Sequence, residues 1–388
     1  MRKFAYGLFL GIFLLILFAV PVLTKLEPAA SISSYENRAL AQPPDLTAER
    51  VWEGKYFADW EAYLSDHVCG RDNWLRAYTF LNANLLGRVQ VNGVLLGGDT
   101  LLPYEPTIYA RPEDAGAMAA DLAALARRLE EWGGQFLYLG VPRQDSIFRD
   151  KFPAYLDNNA RLLEDLEESF FGALEEEGLE YIDFYPLLKA EPDPGLYYLK
   201  SDHHYNLLGA YYVYEAFISR LDQMGYTVPS LREGEDFRWK VLDKPFYGSR
   251  NRRLYDTSLI TDQLLIYEPE EDLAFERFDY GSPAAPEVFV FTDEDYVEYN
   301  IYMGGDIGET VIRTNRPELP SVLLFGDSFT NAFETFLYRS FDETRSLDLR
   351  SYSAKTLPEY IEEYRPDLVV CLRDDTAYTA FSGNGQVK

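Results

Sequence analysis

The chain has 388 residues, with 36 basic and 64 acidic side chains and a formal charge of −28. So acidic a surface repels polyphosphate and excludes nucleic acid as a partner, while 47% hydrophobic residues exclude a disordered chain. Two cysteines and three histidines exclude a disulfide framework and a Cys-rich zinc module.

Met1-Arg2-Lys3 precedes an uncharged run from Phe4 to Thr24. As a helix that run spans roughly 30 Å, the thickness of a bilayer's hydrocarbon core. Arg2 and Lys3 keep the N-terminus cytoplasmic and send the rest across. The run reads as a signal anchor over 1–25. A signal peptide is the alternative, for which Pro28-Ala29-Ala30 is a poor cleavage site. The rest of the chain is extracytoplasmic on either reading.

Residues 26–47, with Pro28, Pro43 and Pro44, read as a linker. From 48 to 90, Trp52, Tyr56, Phe57, Trp60, Tyr63 and Leu64 recur at helical spacing. Asn92-Gly93 predicts a hairpin turn within 91–102. Helix over 111–132, a Gly133-Gly134 stop and an apolar strand over 135–141 open an α/β pattern. A helix over 158–177, a strand over 179–184 and a helix over 205–224 follow. Residues 228–320 read as an irregular β-rich insertion with β-type runs such as 288–291. The α/β pattern resumes with a strand over 321–325, a helix over 332–339 and a last strand over 366–372.

Two segments carry chemistry. Val322-Leu323-Leu324-Phe325-Gly326-Asp327-Ser328 runs from an apolar strand through glycine into a helix start. Ser328 then sits at the carboxyl end of a strand, where open α/β sheets bind ligands, and its backbone N–H is a candidate oxyanion donor. The competing reading is a plain Asp/Ser helix cap. The second segment is Asp202-His203-His204-Tyr205. In extended backbone, residues i and i+2 share a side, so Asp202 can orient His204 while His203 points elsewhere. That is the acid–base pair a serine nucleophile needs. A zinc site and a structural turn compete with it, but no HExxH spacing or cysteine supports zinc.

Together the segments resemble the DHHW proteins, related to the SGNH hydrolase-like domains of the AlgX and AlgJ alginate O-acetylation proteins. Glu36-Asn37-Arg38, Tyr63 to Arg71 with Asp66, Gly93 to Leu102 and Gly209-Ala210 extend the resemblance over most of the chain from about residue 34. Tyr205 stands where the signature has Trp. The resemblance implies an SGNH-like three-layer α/β/α domain over 48–388, with a mostly parallel sheet. It places the family's acid, base and nucleophile on Asp202, His204 and Ser328. Their order is reversed from ordinary SGNH hydrolases, as in a circular permutation. The implied function is polysaccharide O-acetylation, with a membrane-bound O-acyltransferase as acetyl donor. Hydrolysis by the same triad, as an esterase or deacetylase, and non-catalytic glycan binding are the alternatives. No cofactor or metal is expected.

Arg143 and Gln144, after the strand ending at Pro142, are candidate substrate contacts, as are Arg373 after the last strand and Tyr205. Asp374 and Asp375 are expected to begin a helix. His67 reads as a surface or packing residue. The turns Tyr247-Gly248-Ser249 and Met303-Gly304-Gly305-Asp306 are expected to frame the cleft. Asp327 is expected to point away from the triad. Cys69 and Cys371 read as free thiols.

Overall fold

The computed structural model describes residues 2–27, 30–33, 35–36, 38–96 and 98–380. Pro28 and Ala29 of the cleavage-site reading, Asn37 and Gly97 of the family segments, and the end of the 48–388 domain lie outside the described residues, as do the side chains of Arg2 and Lys3. The backbone forms two compact units: Met1–Leu96 with Asn251–Leu259, and Gly97–Arg250 with Ile260–Lys388. The helices after residue 48 cluster with the N-terminal segment.

In the first unit, α1 (Arg2–Leu26) contains a 21-residue stretch long and apolar enough to cross a bilayer. The expected helix over 48–90 is broken into α2 (Ala48–Trp52), α3 (Lys55–His67), α4 (Arg71–Phe80) and a π-helical turn, Leu81–Leu85. Gly54 and Gly70 cause the breaks: both adopt positive φ, 77° and 66°, where a side chain would be strained. The expected linker is not free chain. Strands β1 (Ile32–Ser33) and β2 (Arg38–Ala39) pair, and Arg38 grips Asp66 with two hydrogen bonds of 2.8 and 2.6 Å. His67 packs, as read, with its ring 4.4 Å from that of Tyr63 and Nε2 2.9 Å from the Ala41 carbonyl. The predicted hairpin is β3 (Gln90–Val91) and β4 (Val94–Leu95), turning at Asn92 and Gly93 with φ of 51° and 76°.

In the second unit, β5 (Leu102–Pro103) precedes α5 (Ala115–Glu130), β6 (Gln135–Val141), α6 (Gln144–Ile147), α7 (Ala160–Glu176), β7 (Glu180–Asp183), α8 (Phe184–Lys189) and α9 (Leu207–Gln223). Next come β8 (Phe237–Val241), the one-turn α10 (Ser249–Arg253), whose last three residues belong to the first unit, β9 (Leu265–Pro269), β10 (Glu276–Asp279), β11 (Ser282–Ala284) and β12 (Glu309–Arg313). The chain closes with β13 (Val322–Gly326), α11 (Thr330–Leu337), β14 (Glu343–Asp348), α12 (Leu357–Tyr364) and β15 (Leu368–Asp374). One sheet of 8 strands dominates, in the order β11-β10-β12-β14-β13-β15-β6-β7. The five strands from β14 to β7 are parallel.

The insertion over 228–320 is less irregular than its composition suggests. β12, β10 and β11 continue the sheet antiparallel beyond β14, and β8 and β9 form a separate ribbon. The run over 288–291 is not a strand; it contributes one bridge, Phe289 to Tyr302.

Alternation explains the layers. Phe136, Tyr138, Leu323, Phe325, Val369 and Cys371 face one way and join the buried residues of α5, α7 and α12 in a single core. The residues between them, Leu137, Leu139, Leu324, Val370 and Leu372, point to the opposite face and are also buried. Strands buried on both faces read as continuous apolar runs, the signature of a parallel α/β sheet. α9 and α11 pack on each other, with the Phe217 and Phe333 rings 5.4 Å apart.

Candidate active site

β13 ends at Gly326 against β15. A Cβ at Gly326 would lie 2.0 Å from the Leu372 carbonyl oxygen, so only glycine permits this approach. The chain then turns through Asp327 and Ser328 into α11. As expected, Asp327 serves the turn: its carboxylate accepts from the N–H groups of Phe329 and Asp374, each at 3.0 Å. Burial, then the charge on Asp374, push its carboxyl up to about 6. Ser328 is partly exposed, and no acceptor takes its N–H among the described residues.

The second segment reaches the same rim on a tight turn closed by a Tyr198–Tyr205 bridge. His204 Nδ1 lies 2.7 Å from Asp202 Oδ1, and His204 Nε2 lies 2.7 Å from Ser328 Oγ. Asp202 is 3% exposed and His204 5%. Asp202 Oδ1 accepts from the backbone N–H of His203 and His204, and Oδ2 from that of Ser249. Burial opposes ionisation of Asp202, but the two adjacent imidazoles and their hydrogen bonds prevail and hold it well below the usual carboxylate range.

His203 does not point elsewhere. Its ring lies 3.8 Å from that of His204 and its Nδ1 is 3.1 Å from Asp202 Oδ1. Burial, then the neighbouring imidazole, push it down to about 4. Asp202, His203 and His204 thus offer three ligand-type atoms within 4.8 Å of one another. A metal there would have to displace the His204–Asp202 hydrogen bond.

The candidate substrate contacts divide. Arg143 is partly exposed at the rim, with its backbone N–H bonded to Asp375. Gln144 is 0% exposed; its amide donates to the carbonyls of Leu101, Leu199 and Lys200. It is a buried brace and not a substrate contact. Tyr205 is also buried and donates its hydroxyl to the Phe329 carbonyl. Arg373 is 2% exposed, 3.6 Å from Asp327, and its Nε and Nη1 find no hydrogen-bond partner among the described residues. Gln144 and Arg373 were placed at the rim by strand position and Tyr205 by its motif, but all three side chains turn into the fold. Asp374 ends β15 and Asp375 begins a turn, so neither starts a helix.

Both candidate turns lie beside the site. Ser249 bonds Asp202, and a Cβ at Gly248 would lie 2.3 Å from the Ser201 carbonyl oxygen. Asp306 accepts from Asn331, in the first turn of α11, at 3.0 Å. Both cysteines are free, as read; burial pushes the Cys371 thiol upward.

Two residues escaped the sequence reading. Arg250, buried at 5% exposure, donates to the carbonyls of Leu101 and Asp202, to Gln144 and to Asp145. Arg250, Arg252 and Arg253, clustered in so acidic a chain, were the available signal. Tyr299, from the insertion, stacks on His204; no local pattern marks it.

A rim-mounted serine after a parallel strand, within reach of a histidine that is itself bonded to an aspartate, is the arrangement of a serine nucleophile with its base and orienting acid. Residues 94–249 match the family model described as the SGNH hydrolase-like domain of acetyltransferase AlgX. Residues 177–346 match the model described as DHHW protein. The resemblance to these proteins is thus shown. Among solved structures, PatB1 of Bacillus cereus is similar at 23% identity, covering 76% of this chain and 98% of that one, with a TM-score of 0.62. A PatB1 structure with a sulfonyl adduct is similar at 20% identity, covering 74% and 97%, with a TM-score of 0.61. A DHHW family protein from Eubacterium siraeum is similar at 20% identity, covering 77% and 96%, with a TM-score of 0.58. At these identities the likeness is one of fold. No curated protein matches the chain.

Proposed function

We propose that the protein is a membrane-anchored, extracytoplasmic O-acetyltransferase that acts on a cell-envelope or secreted polysaccharide through Asp202, His204 and Ser328. The observation that carries this reading is the 2.7 Å contact between His204 Nε2 and Ser328 Oγ. The match to the AlgX acetyltransferase model supports the reaction class.

His204 Nε2 takes the Ser328 proton as Oγ bonds to the acetyl carbonyl carbon. Asp202 holds Nδ1–H and supports the imidazolium. The Ser328 N–H faces the oxygen that gains charge. The carbonyl reforms, the leaving group departs with the proton from His204, and acetyl-serine remains. A sugar hydroxyl then gives its proton to His204 as its oxygen bonds to the acetyl carbon; the bond from that carbon to Ser328 Oγ breaks, His204 returns the proton to Oγ, and the acetylated glycan leaves. Acetyl-CoA is cytoplasmic, so the donor reaches this face by way of a membrane-bound O-acyltransferase.

The test incubates the full chain with an acetyl-ester chromophore, with and without a polysaccharide acceptor. Chromophore release that Ser328→Ala abolishes, with acetyl groups appearing on the glycan, is the expected result. Release without glycan acetylation makes the protein an esterase. Equal release by Ser328→Ala overturns the triad.

A further inference from the structure

The first unit carries an apolar surface that this chemistry leaves unused. On α4 and the π-helical turn that continues it, Trp74, Tyr78, Leu81 and Leu85 are exposed, Trp74 by 63% and Leu85 by 68%. Their spacing of four, three and four puts them on one face through three turns. A surface helix of a globular protein turns such a stripe inward; here it faces out. Exposed hydrophobics scattered singly need no explanation, but a contiguous stripe marks an interaction surface.

The end of α1 indicates what covers it. No residue of its apolar stretch, Tyr6–Leu26, is buried, and all but Ala19, Val20 and Thr24 are exposed. The α3–α4 junction is bonded to that end: Cys69 N–H donates to Thr24 Oγ1 at 2.9 Å, and Gly70 N–H to Glu27 at 3.3 Å. Helix α4 therefore starts at the level where α1 leaves the bilayer. Trp and Tyr favour that interfacial level. Charge permits the approach as well. Residues 48–88 hold five basic and six acidic side chains, whereas acidic residues far outnumber basic ones in the whole chain.

We infer that α4 lies in the headgroup layer of the membrane that α1 enters, with Trp74, Tyr78, Leu81 and Leu85 turned toward the acyl chains. The occupant of the stripe is lipid. The inference rests on anchoring by α1 and not on the chemistry at Ser328. Apolar area drives the contact, so salt leaves it intact.

The test uses the full chain in phosphatidylcholine vesicles whose acyl chains are brominated near the headgroup. Emission of wild type minus that of Trp74→Phe isolates Trp74. Leu85→Trp in the Trp74→Phe chain adds a second probe about 16 Å further along the helix. Loss of emission from both probes, unchanged at high salt and with little quenching by aqueous iodide, is the expected result. Loss at Trp74 alone would stand α4 along the bilayer normal and overturn the inference. Iodide quenching of both probes would give the stripe to a protein partner or a second copy and overturn it too. A chain that fails to float with the vesicles refutes the anchor and this inference with it. The Ser328→Ala result bears on the acetyl-transfer proposal alone.

Discussion

Tyr299 lies flat on His204: the ring centroids are 3.8 Å apart and the planes differ by 5°. An aromatic face attracts a cation above it, so in the proposed mechanism this stack favours the imidazolium that forms when Ser328 gives up its proton. The Tyr299 hydroxyl is buried without a hydrogen-bond partner among the described residues, so the ring and not the hydroxyl matters. Tyr299→Leu should lose about 1 kcal/mol of transition-state stabilisation, roughly a five-fold fall in kcat/KM. Tyr299→Phe should restore it. Ester-cleavage kinetics decide the point, and equal loss in both variants would assign the effect to the hydroxyl.

Arg250 braces the same turn from beneath. It donates to the Asp202 carbonyl at 2.7 Å and to Asp145 at 2.9 Å. Burial pushes its guanidinium down to about 10, with Asp145 acting against that fall. Arg250→Met leaves the Asp145 carboxylate buried beside only the more distant Arg143, 3.5 Å away. Breaking a buried pair from one side costs about 3–5 kcal/mol, and Arg143, whose charge lowers the Asp145 carboxyl more than that of Arg250 does, holds the loss to about the lower end of that range. Urea unfolding should show that loss, and adding Asp145→Asn should recover part of it. A double variant no more stable than Arg250→Met would show that the uncompensated charge is not the cause.

The sheet centre was legible because strands covered on both faces leave unbroken apolar runs, as in Val322–Phe325 and Leu368–Leu372. β14 was not. Its Thr344, Arg345 and Ser346 look like loop, yet Ser346 bonds the buried Glu334 and the Arg345 guanidinium lies 3.7 Å from the centre of the Tyr364 ring of α12. Partners supplied by the fold make a polar segment serviceable as a central strand, and those partners do not show in its own sequence. α12 did carry a signal, the Thr356–Glu359 capping box. Asp202 and His204 do pair, but not through extended backbone: the segment is a tight turn, which is why His203 also meets Asp202. Gln144 and Arg373 misled because strand position places a backbone at the rim but does not say which way its side chain turns; Tyr205 misled because its place in the motif beside His204 does not say so either.

Gly326 tests how tightly the serine turn is held. Beyond the Leu372 contact, an added Cβ would lie 2.7 Å from Thr330 Cγ2. One obstacle is strand backbone, which cannot yield without parting β13 from β15. Gly326→Ala should lower the unfolding midpoint by the ~1–3 kcal/mol typical of overpacking and reduce ester cleavage further than that loss explains. Wild-type behaviour in both assays would mean that the turn relaxes without cost.

Asp375 makes stability depend on pH. Burial first, then the charge on Asp374, push its carboxyl up to about 7. An unfolded aspartate titrates near ~3.9. Between those values the folded chain keeps a proton that the unfolded chain releases. This contribution is complete below about pH 4 and is lost as pH rises through about 7. Asp327, pushed up to about 6, acts in the same direction. Asp375→Asn should flatten the decline in the urea midpoint between about pH 5 and 8, by a few kcal/mol at most. An unchanged slope would mean that Asp375 is ionised in the folded protein at neutral pH.

Tyr205 stands where related signatures have Trp, and its role can be separated into ring and hydroxyl. The ring meets Phe329 edge-on, with centroids 5.0 Å apart. The hydroxyl donates to the Phe329 carbonyl, one residue beyond Ser328. Tyr205→Phe keeps the ring contact and removes a hydrogen bond worth about 1 kcal/mol. Because that bond holds the start of α11, kcat/KM should fall while the unfolding midpoint moves little. Tyr205→Trp keeps an N–H donor but must fit a larger ring into a closed space. A Cβ placed on Gly209 would already lie 2.8 Å from Tyr205 Cβ, so that side offers no spare room. Tryptophan should therefore retain more activity than phenylalanine and unfold earlier, by about 1–3 kcal/mol. The opposite order, with phenylalanine active and tryptophan inert, would show that the site depends on packing at residue 205 and not on its bond to residue 329.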